Sequence, residues 1–535
     1  MDAGRELEAN KPPQSTGIKK DANVLPPDDA RRPAGTGSDD ATVMVRGFRL
    51  TGNTVFSDEV LLPLVRPWVG KAANTDQLLD AAEAVKDRYK DAGYFLTQVL
   101  VPAQEVPDGI VTLRVVEARI GQTHAEVTTH RVSPRVVDGY MALLPSGASV
   151  TEADVERPLL LLNDLPGLKV NSVLRPGAQT GEADLVVKVA DEGRTWGGDA
   201  YLDNAGNQAT GTVRLGADLV ANGLLGQGES WSLGGLISER NGVDLVRAGV
   251  TAPVGPYGTK ATLSLTSLNY KVIGPGYGTL DADGDALVGS ASVQHPLVRS
   301  RNLNLFLVGG ADAKSVNDRQ LGGAKQDRRD LYDVDLGMTG DFRDQYFGGS
   351  LNSFTLTLTA GHDHAKDADT TGHAVKSSFQ HLNADFQRLQ AITQTTSVLL
   401  LMRGQYAFQN LDTSEKSSLG GPHGVRGFAV GDGVGDDLFL GTLELRQRVP
   451  SWTIFNAPFM LSAFVDGGRV RGWHSPLPTD QNNLDTLGSY GVGLNLTSRD
   501  NFQFRLDVAH RINKEKIAGS DNHPTRAWAS LQKWF

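Results

Sequence analysis

The chain has 535 residues, of which 39% are hydrophobic, 21% charged and 61 are glycine, with a formal net charge of -10; this length holds several domains, and the glycine-rich balance favours β structure with many turns. The acidic balance excludes a protein that binds nucleic acid through a broad basic surface. No run approaches the roughly 18 apolar residues of a spanning helix, and the absence of cysteine excludes disulfides, thiolate metal sites and cysteine nucleophiles, but a closed membrane β-barrel stays open.

Residues 1-40 begin with a short charged stretch, Gly4 to Asn10, in which Leu7 is the one strong apolar residue. It is a candidate short helix or a frayed terminus. The Pro-, Asp-, Gly- and Lys-rich tract behind it is expected to be a linker. Met1 to Glu6 show neither the basic nor the apolar segment of a secretory leader. That fits a cytosolic chain or a mature exported one with an added Met, and the barrel argued below favours the second.

Over 41-120 the pattern becomes modular. Val43, Val45 and Phe48 lead into a strand ending at Gly52-Asn53, Ser57 and Asp58 open a short helix, and Asn74 with Gln77 makes a capping box for a longer one. Leu78, Leu79, Ala82, Val85 and Tyr89 recur at helical spacing, and Gly93 stops the helix. Strands are expected over 97-101 and 110-118, joined by the turn Pro107-Asp108-Gly109. The order is β-α-α-β-β.

Residues 121-192 repeat that order. A strand near Ala125 to Thr129 precedes a helix around Val136 to Leu143. Thr151 with Asp154 caps a second helix carrying Val155, Leu159 and Leu162, and strands over 168-174 and 183-189 close the unit.

From 193 to 535 the helical period is gone. Phe354, Leu356 and Leu358 alternate with threonines, Phe502, Phe504, Leu506 and Val508 alternate with Gln503, Arg505 and Asp507, and Phe439, Leu443 and Leu445 alternate with Thr442, Glu444, Arg446 and Arg448. Counting such segments gives about sixteen antiparallel strands. Connections sort by parity: tight at Pro253 to Gly258, Val298 to Ser300, Arg343 to Tyr346 and Ser498 to Asp500, but long and polar at 269-283, 315-329, 362-373, 409-437, 469-485 and 511-525. Paired soluble sandwiches or a solenoid would explain the alternation; only a barrel in an outer membrane explains the parity, with the modules on the short-turn, periplasmic side. The low aromatic fraction of 7% counts the other way, because interfacial girdles enrich Trp and Tyr.

The longest outer loop contains Gly420-Gly421-Pro422-His423-Gly424-Val425-Arg426-Gly427-Phe428, and the thirteenth strand contains Phe464-Val465-Asp466-Gly467-Gly468. On these motifs and the paired modules, essentially the whole chain resembles the two-partner secretion transporters of TpsB type, the FhaC/ShlB-like branch of the POTRA-barrel superfamily. The resemblance implies two periplasmic POTRA domains before a membrane β-barrel, with loop 409-437 folded into the lumen. Carried over residue by residue, it pairs Arg426 with Asp466, with Val425, Gly427 and Phe428 shaping the loop tip and Phe464 and Gly468 the wall around it. A guanidinium in a narrow pore needs such a partner, since an uncompensated buried charge costs about 3 to 5 kcal/mol. By the same resemblance Gly4 to Asn10 corresponds to a short plug helix in the barrel. The terminal Trp534-Phe535 resembles the recognition signal of barrel substrates; Ala527, Ala529, Leu531 and Phe535 share a face that Lys533 interrupts.

Other chemistry is weaker. Asp281-Ala282-Asp283-Gly284-Asp285 starts like a calcium loop, but the twelfth position is Ser292 rather than Glu, so a solvated loop is the better reading. His362, His364 and His373 lack a fixed third ligand and read as a polar loop. No phosphate loop, nucleophile elbow or zinc-protease helix occurs, so neither an enzyme nor a metal or cofactor is expected. The resemblance implies an outer-membrane pore that exports an unfolded TpsA-type exoprotein, its POTRA domains recognising the partner's secretion domain. Further expected partners are the barrel assembly machinery and outer-membrane lipid, with no nucleic acid, and the expected state is a monomer. The alternatives are an assembly factor that inserts barrels, and a passive porin, for which the modules would have no purpose. Sequence alone does not name the exported protein, whether adhesin, haemolysin, protease or contact-dependent toxin.

Overall fold

The computed structural model describes residues 2-10, 42-147, 149-179, 181-274, 281-365, 373, 375, 377-480, 482-498, 501-512 and 523-535. The expected linker therefore lies outside the described residues, as do 275-280, 366-372, 499-500 and 513-522 in the expected turns and loops. The chain divides into two compact units, one built on the modules and one on the segment after Arg194 together with the first residues, which include helix α1 (Ala3–Ala9).

The first module runs β1 (Gly47–Thr51), α2 (Asp58–Val65), α3 (Thr75–Asp91), β2 (Gln98–Leu100) and β3 (Ile110–Val116). β3 lies centrally, parallel to β1 and antiparallel to β2. The parallel pair follows from the helices that intervene, because parallel neighbours need a crossover. Asn74 and Gln77 close both halves of the capping box on α3, and Gly93 ends it at φ +88. Leu78, Ala82, Val85 and Tyr89 then pack with Leu61, Val111 and Leu113.

The second module repeats the plan with β4 (Arg119–Val127), α4 (Pro134–Met141), α5 (Glu152–Asn163), β5 (Leu168–Pro176) and β6 (Glu182–Asp191), again with the last strand in the centre. β4 starts six residues before the expected Ala125. Its register against β6 shifts between Ile120 and Thr123, and such an irregularity breaks the alternation by which a strand is read from sequence. Arg131, buried, donates to the carbonyls of Gly167, Glu192 and Gly193, which fixes the course of the chain as it leaves the module.

From Trp196 onward the chain forms β7 (Trp196–Asp203), β8 (Arg214–Asn222), β9 (Ser230–Ser238), β10 (Val243–Pro253), β11 (Lys260–Lys271), β12 (Asp283–Arg299), β13 (Leu303–Gln320), β14 (Lys325–Asp344), β15 (Ser350–Ala365), β16 (Ser378–Ala391), β17 (Thr396–Ala407), β18 (Asp437–Ile454), β19 (Ala457–Arg471), β20 (Leu484–Ser498), β21 (Phe502–Arg511) and β22 (Thr525–Trp534). These 16 antiparallel strands close on themselves as β22 pairs with β7. Among the described residues no helix is long and apolar enough to cross a membrane; the strands do so. Their outer face leaves Leu265, Leu287, Leu336, Leu358, Leu443 and Val492 exposed for lipid, and the inner face carries the polar set, as the two-residue period requires.

Two expectations about loops are corrected. The segment 315-329 is mostly strand, since β13 and β14 stay paired out to Gln320 and Lys325. On its other side β13 pairs with β12 through polar residues: Arg319 reaches Asp283 at 2.6 Å and Asp285 at 2.7 Å. By the same correction Asp283 and Asp285 stand in β12 and not in the solvated loop expected for them, with Arg319 as their partner. His362 and His364 are likewise in β15 and not in a loop, with ring centroids 4.4 Å apart. In both cases the polar composition resembled a loop because these ends extend past the lipid belt and need no apolar face.

Candidate functional site

Helix α1 lies inside the barrel. Ala3 has no exposure and packs among lumen-facing Leu268, Tyr270, Ala286 and Val316. Its N-terminus is seated on a carboxylate: Ala3 N donates to Asp318 Oδ1 at 2.8 Å, and Tyr270 Oη donates to the same oxygen at 2.9 Å. The buried Glu6 Oε1 accepts from Thr210 Oγ1 at 3.0 Å. Gly4 lies directly against Ser414 of the loop between β17 and β18, leaving no room for a side chain.

That loop enters the lumen, and ion pairs guide its first turn. Arg329 bridges Asp412 (2.7 Å) and Asp318 (2.6 Å), Lys314 bridges Glu415 (2.8 Å) and Asp333 (2.9 Å), and Lys416 pairs with Asp436 at 3.0 Å beneath the ring of Trp473. Ser417–Ser418 and Val434–Gly435 then pair as a small antiparallel sheet, which makes the rest a hairpin.

At its tip Arg426 is 3% exposed. Nε and Nη2 donate to the two oxygens of Asp466 at 3.0 and 2.8 Å, and the backbone N of Arg426 adds a third bond to Asp466 Oδ2 at 3.1 Å. Nη1 donates to Glu444 Oε2 at 2.8 Å, and Asp507 lies 3.6 Å away. The guanidinium carbon sits 3.2 Å from the ring centroid of Phe464. Asp466 also accepts from Thr442 and Ser489, each at 3.0 Å. The arrangement is balanced, because Arg446 takes the second oxygen of Glu444 at 2.8 Å and Arg505 pairs with Asp507 at 2.7 Å.

The neighbouring motif residues have distinct jobs. Val425 and Phe428, both fully buried, join Leu419, Leu438, Val470 and Leu487 in one apolar cluster. A Cβ on Gly427 would lie 2.8 Å from that of Ser489, and a Cβ on Gly468 would lie 2.6 Å from Leu419. Both glycines therefore let backbone and wall approach closely. Sequence reasoning passed over Glu444, Asp507, Arg511 and Trp528. Arg511 donates to Gly427 O at 2.9 Å and covers the Phe428 ring, and Trp528 Nε1 donates to Arg426 O at 2.7 Å. Their signal was present, since Glu444 and Asp507 stand in the charged, lumen-side halves of alternating strands. Of the three carboxylates that approach one another elsewhere, Asp312, Asp333 and Asp335, Asp333 pairs with the Lys314 ammonium at 2.9 Å and Asp335 accepts from Thr359 Oγ1 at 2.5 Å.

Comparison with known proteins bears on the family and the fold. Residues 181-496 match the family of haemolysin secretion/activation proteins ShlB/FhaC/HecB, and residues 43-118 match the ShlB-type POTRA domain. The chain is 25% identical over 494 residues to the heme/hemopexin transporter protein HuxB of Haemophilus influenzae strain 86-028NP, covering 90% of this chain and 85% of that protein. It is 25% identical over 481 residues to the outer membrane transporter CdiB of Escherichia coli, covering 86% and 78%. Among solved structures, Escherichia coli CdiB superposes with a TM-score of 0.73 at 20% identity over 95% of this chain and 94% of that one. BamA of Haemophilus ducreyi lacking POTRA domains 1-3 gives 0.53 at 17% identity over 92% and 100%.

Proposed function

Since the chain belongs to the ShlB/FhaC/HecB family, and is thus a TpsB-type two-partner secretion transporter of the outer membrane with POTRA modules in the periplasm, we propose that it exports one large TpsA-type exoprotein in unfolded form. The modules capture the secretion domain of that partner, with an extended segment adding to a free sheet edge and side-chain pockets supplying selectivity. The observation that carries this reading is how the lumen is filled. Two chain segments, α1 and the hairpin 409-437, occupy it, and α1 joins few apolar residues, Ala3 and Leu7, to polar contacts with Asp318 and Thr210. Bonds of that kind are readily exchanged for water or for the polar backbone of a passing chain, whereas a fused apolar core is not. Arg426 holds the hairpin in the resting or assembly-competent barrel, and folding of the cargo outside makes passage one-way.

The test is co-expression with the product of the adjacent reading frame, measuring which protein reaches the medium. Release of that one exoprotein is expected. It should be lost on removal of residues 41-192 while the barrel still assembles. Undiminished release without the modules would overturn their role in capture.

A further inference from the structure

The barrel wall is not held equally around its circumference. β13 and β14 pair from Leu303 to Gln320, but β22 and β7, which close the cylinder, pair over Ser530–Trp534 and Asp199–Asp203, with Gly198 and Phe535 exchanging one further pair of backbone bonds at 3.2 and 3.0 Å. Beyond Asp203 the seam runs on through Asn204 alone: its backbone N donates to Ala529 O at 3.2 Å, its Nδ2 donates to Ala527 O at 2.9 Å, and its Oδ1 accepts from Ala529 N at 2.8 Å.

The inward hairpin touches both banks of this seam. On one bank Trp528 of β22, buried, donates Nε1 to Arg426 O at 2.7 Å. On the other, Asn207 in the connection from β7 to β8 donates Nδ2 to Val430 O at 3.2 Å. The next residue, Gly431, allows that approach, because a Cβ there would lie 2.9 Å from the Asn207 amide. The same connection also contacts α1, Thr210 donating to Glu6 (3.0 Å), while Arg214 at the start of β8 donates to Asn10 (2.8 Å).

We propose that the hairpin is also a strap across the barrel's closing seam, with Trp528 and Asn207 as positioning residues that make docking of Arg426 and closure of β22 on β7 a single coupled event. A short ladder frays from its ends, and few pairs then remain to hold it. A brace attached to β22 and to the connection that leaves β7 supplies the missing contacts intramolecularly, at high effective concentration. The coupling is reciprocal: whatever undocks the tip loosens the seam by the same factor by which an open seam weakens docking.

The natural sequence has no cysteine, so paired cysteines report without background. Ala200→Cys with Lys533→Cys places two thiols opposite each other across the seam, and Ala291→Cys with Ala311→Cys does so between β12 and β13. Each pair is placed in the full-length protein in membranes, with the native residues, with Trp528→Phe, which keeps a ring but removes the N–H, and separately with Asn207→Ala. Under mild oxidation the seam disulfide should form roughly three- to tenfold less in both variants, the change that one lost hydrogen bond produces, while the second pair is unaffected. Unchanged yield at the seam overturns the proposal, and so does an equal fall at both pairs, which would mean general loosening. Should Trp528→Phe fail to assemble, Asn207→Ala decides alone. No exoprotein is needed, so the result is independent of the cargo reading.

Discussion

Arg426 satisfies a demanding set of conditions: three bonds to Asp466, one to Glu444, a ring beneath its plane and an indole on its carbonyl. Removing it has unequal effects on its neighbours. Glu444 keeps Arg446 and Asp507 keeps Arg505, but Asp466 is left as a buried carboxylate without a cation. The penalty for such a group is about 3 to 5 kcal/mol, and the hairpin can escape it by undocking and admitting water. Arg426→Ala should therefore expose residues 420-433 to protease added to the medium and reduce secretion sharply. Arg426→Lys, which keeps the charge but loses the planar fork, should fall between. Protease resistance and secretion equal to the native protein in Arg426→Ala would count against the pin. The Arg426 and Asp466 pairing was legible only through the resemblance of two short motifs. The alternation marked Glu444 and Asp507 as lumen-side charges, but their contact with Arg426, and that of Trp528, was not legible, because a strand residue's partners depend on what folds in beside it.

At the scale of elements, helix α1 shows why short segments are hard to read. Its seven residues, AGRELEA, carry too little apolar surface to predict a helix that packs, and an isolated helix of this length is not stable in water. The barrel supplies what it lacks, a carboxylate at its N-terminus and polar partners along its side. Gly4 rests on Ser414, so a bulky residue there cannot be accommodated. Gly4→Val and deletion of residues 2-10 should both release the helix and raise single-channel conductance in planar bilayers, without lowering the barrel's resistance to heat in detergent. Conductance unchanged from the native protein in both would show that the helix does not limit the opening. The extended β13 and β14 hairpin gives the opposite lesson. Its polar residues read as loop because hydrophobic alternation marks only the part of a strand that meets lipid, and the hydrogen-bonded ladder carries on beyond it.

At the scale of the molecule, the transporter and the insertion factor share a barrel with periplasmic modules, so the fold does not separate them. Their cellular consequences do. A one-cargo transporter predicts that deleting its gene removes a single protein from the medium while growth and the other outer-membrane proteins are normal. General loss of barrels or an envelope defect would favour the insertion factor. The sequence by itself determined the two β-α-α-β-β modules, the closed barrel and its approximate strand number, because capping boxes, helical stripes and two-residue alternation are local patterns that burial against any core enforces. Only the tertiary structure decided what stands in the lumen, which charges neutralise Arg426 and how little ladder closes the wall. Those outcomes join residues hundreds of positions apart, and the energy of a buried charge or an unpaired strand edge is set by neighbours in space, which closure of the barrel alone brings together.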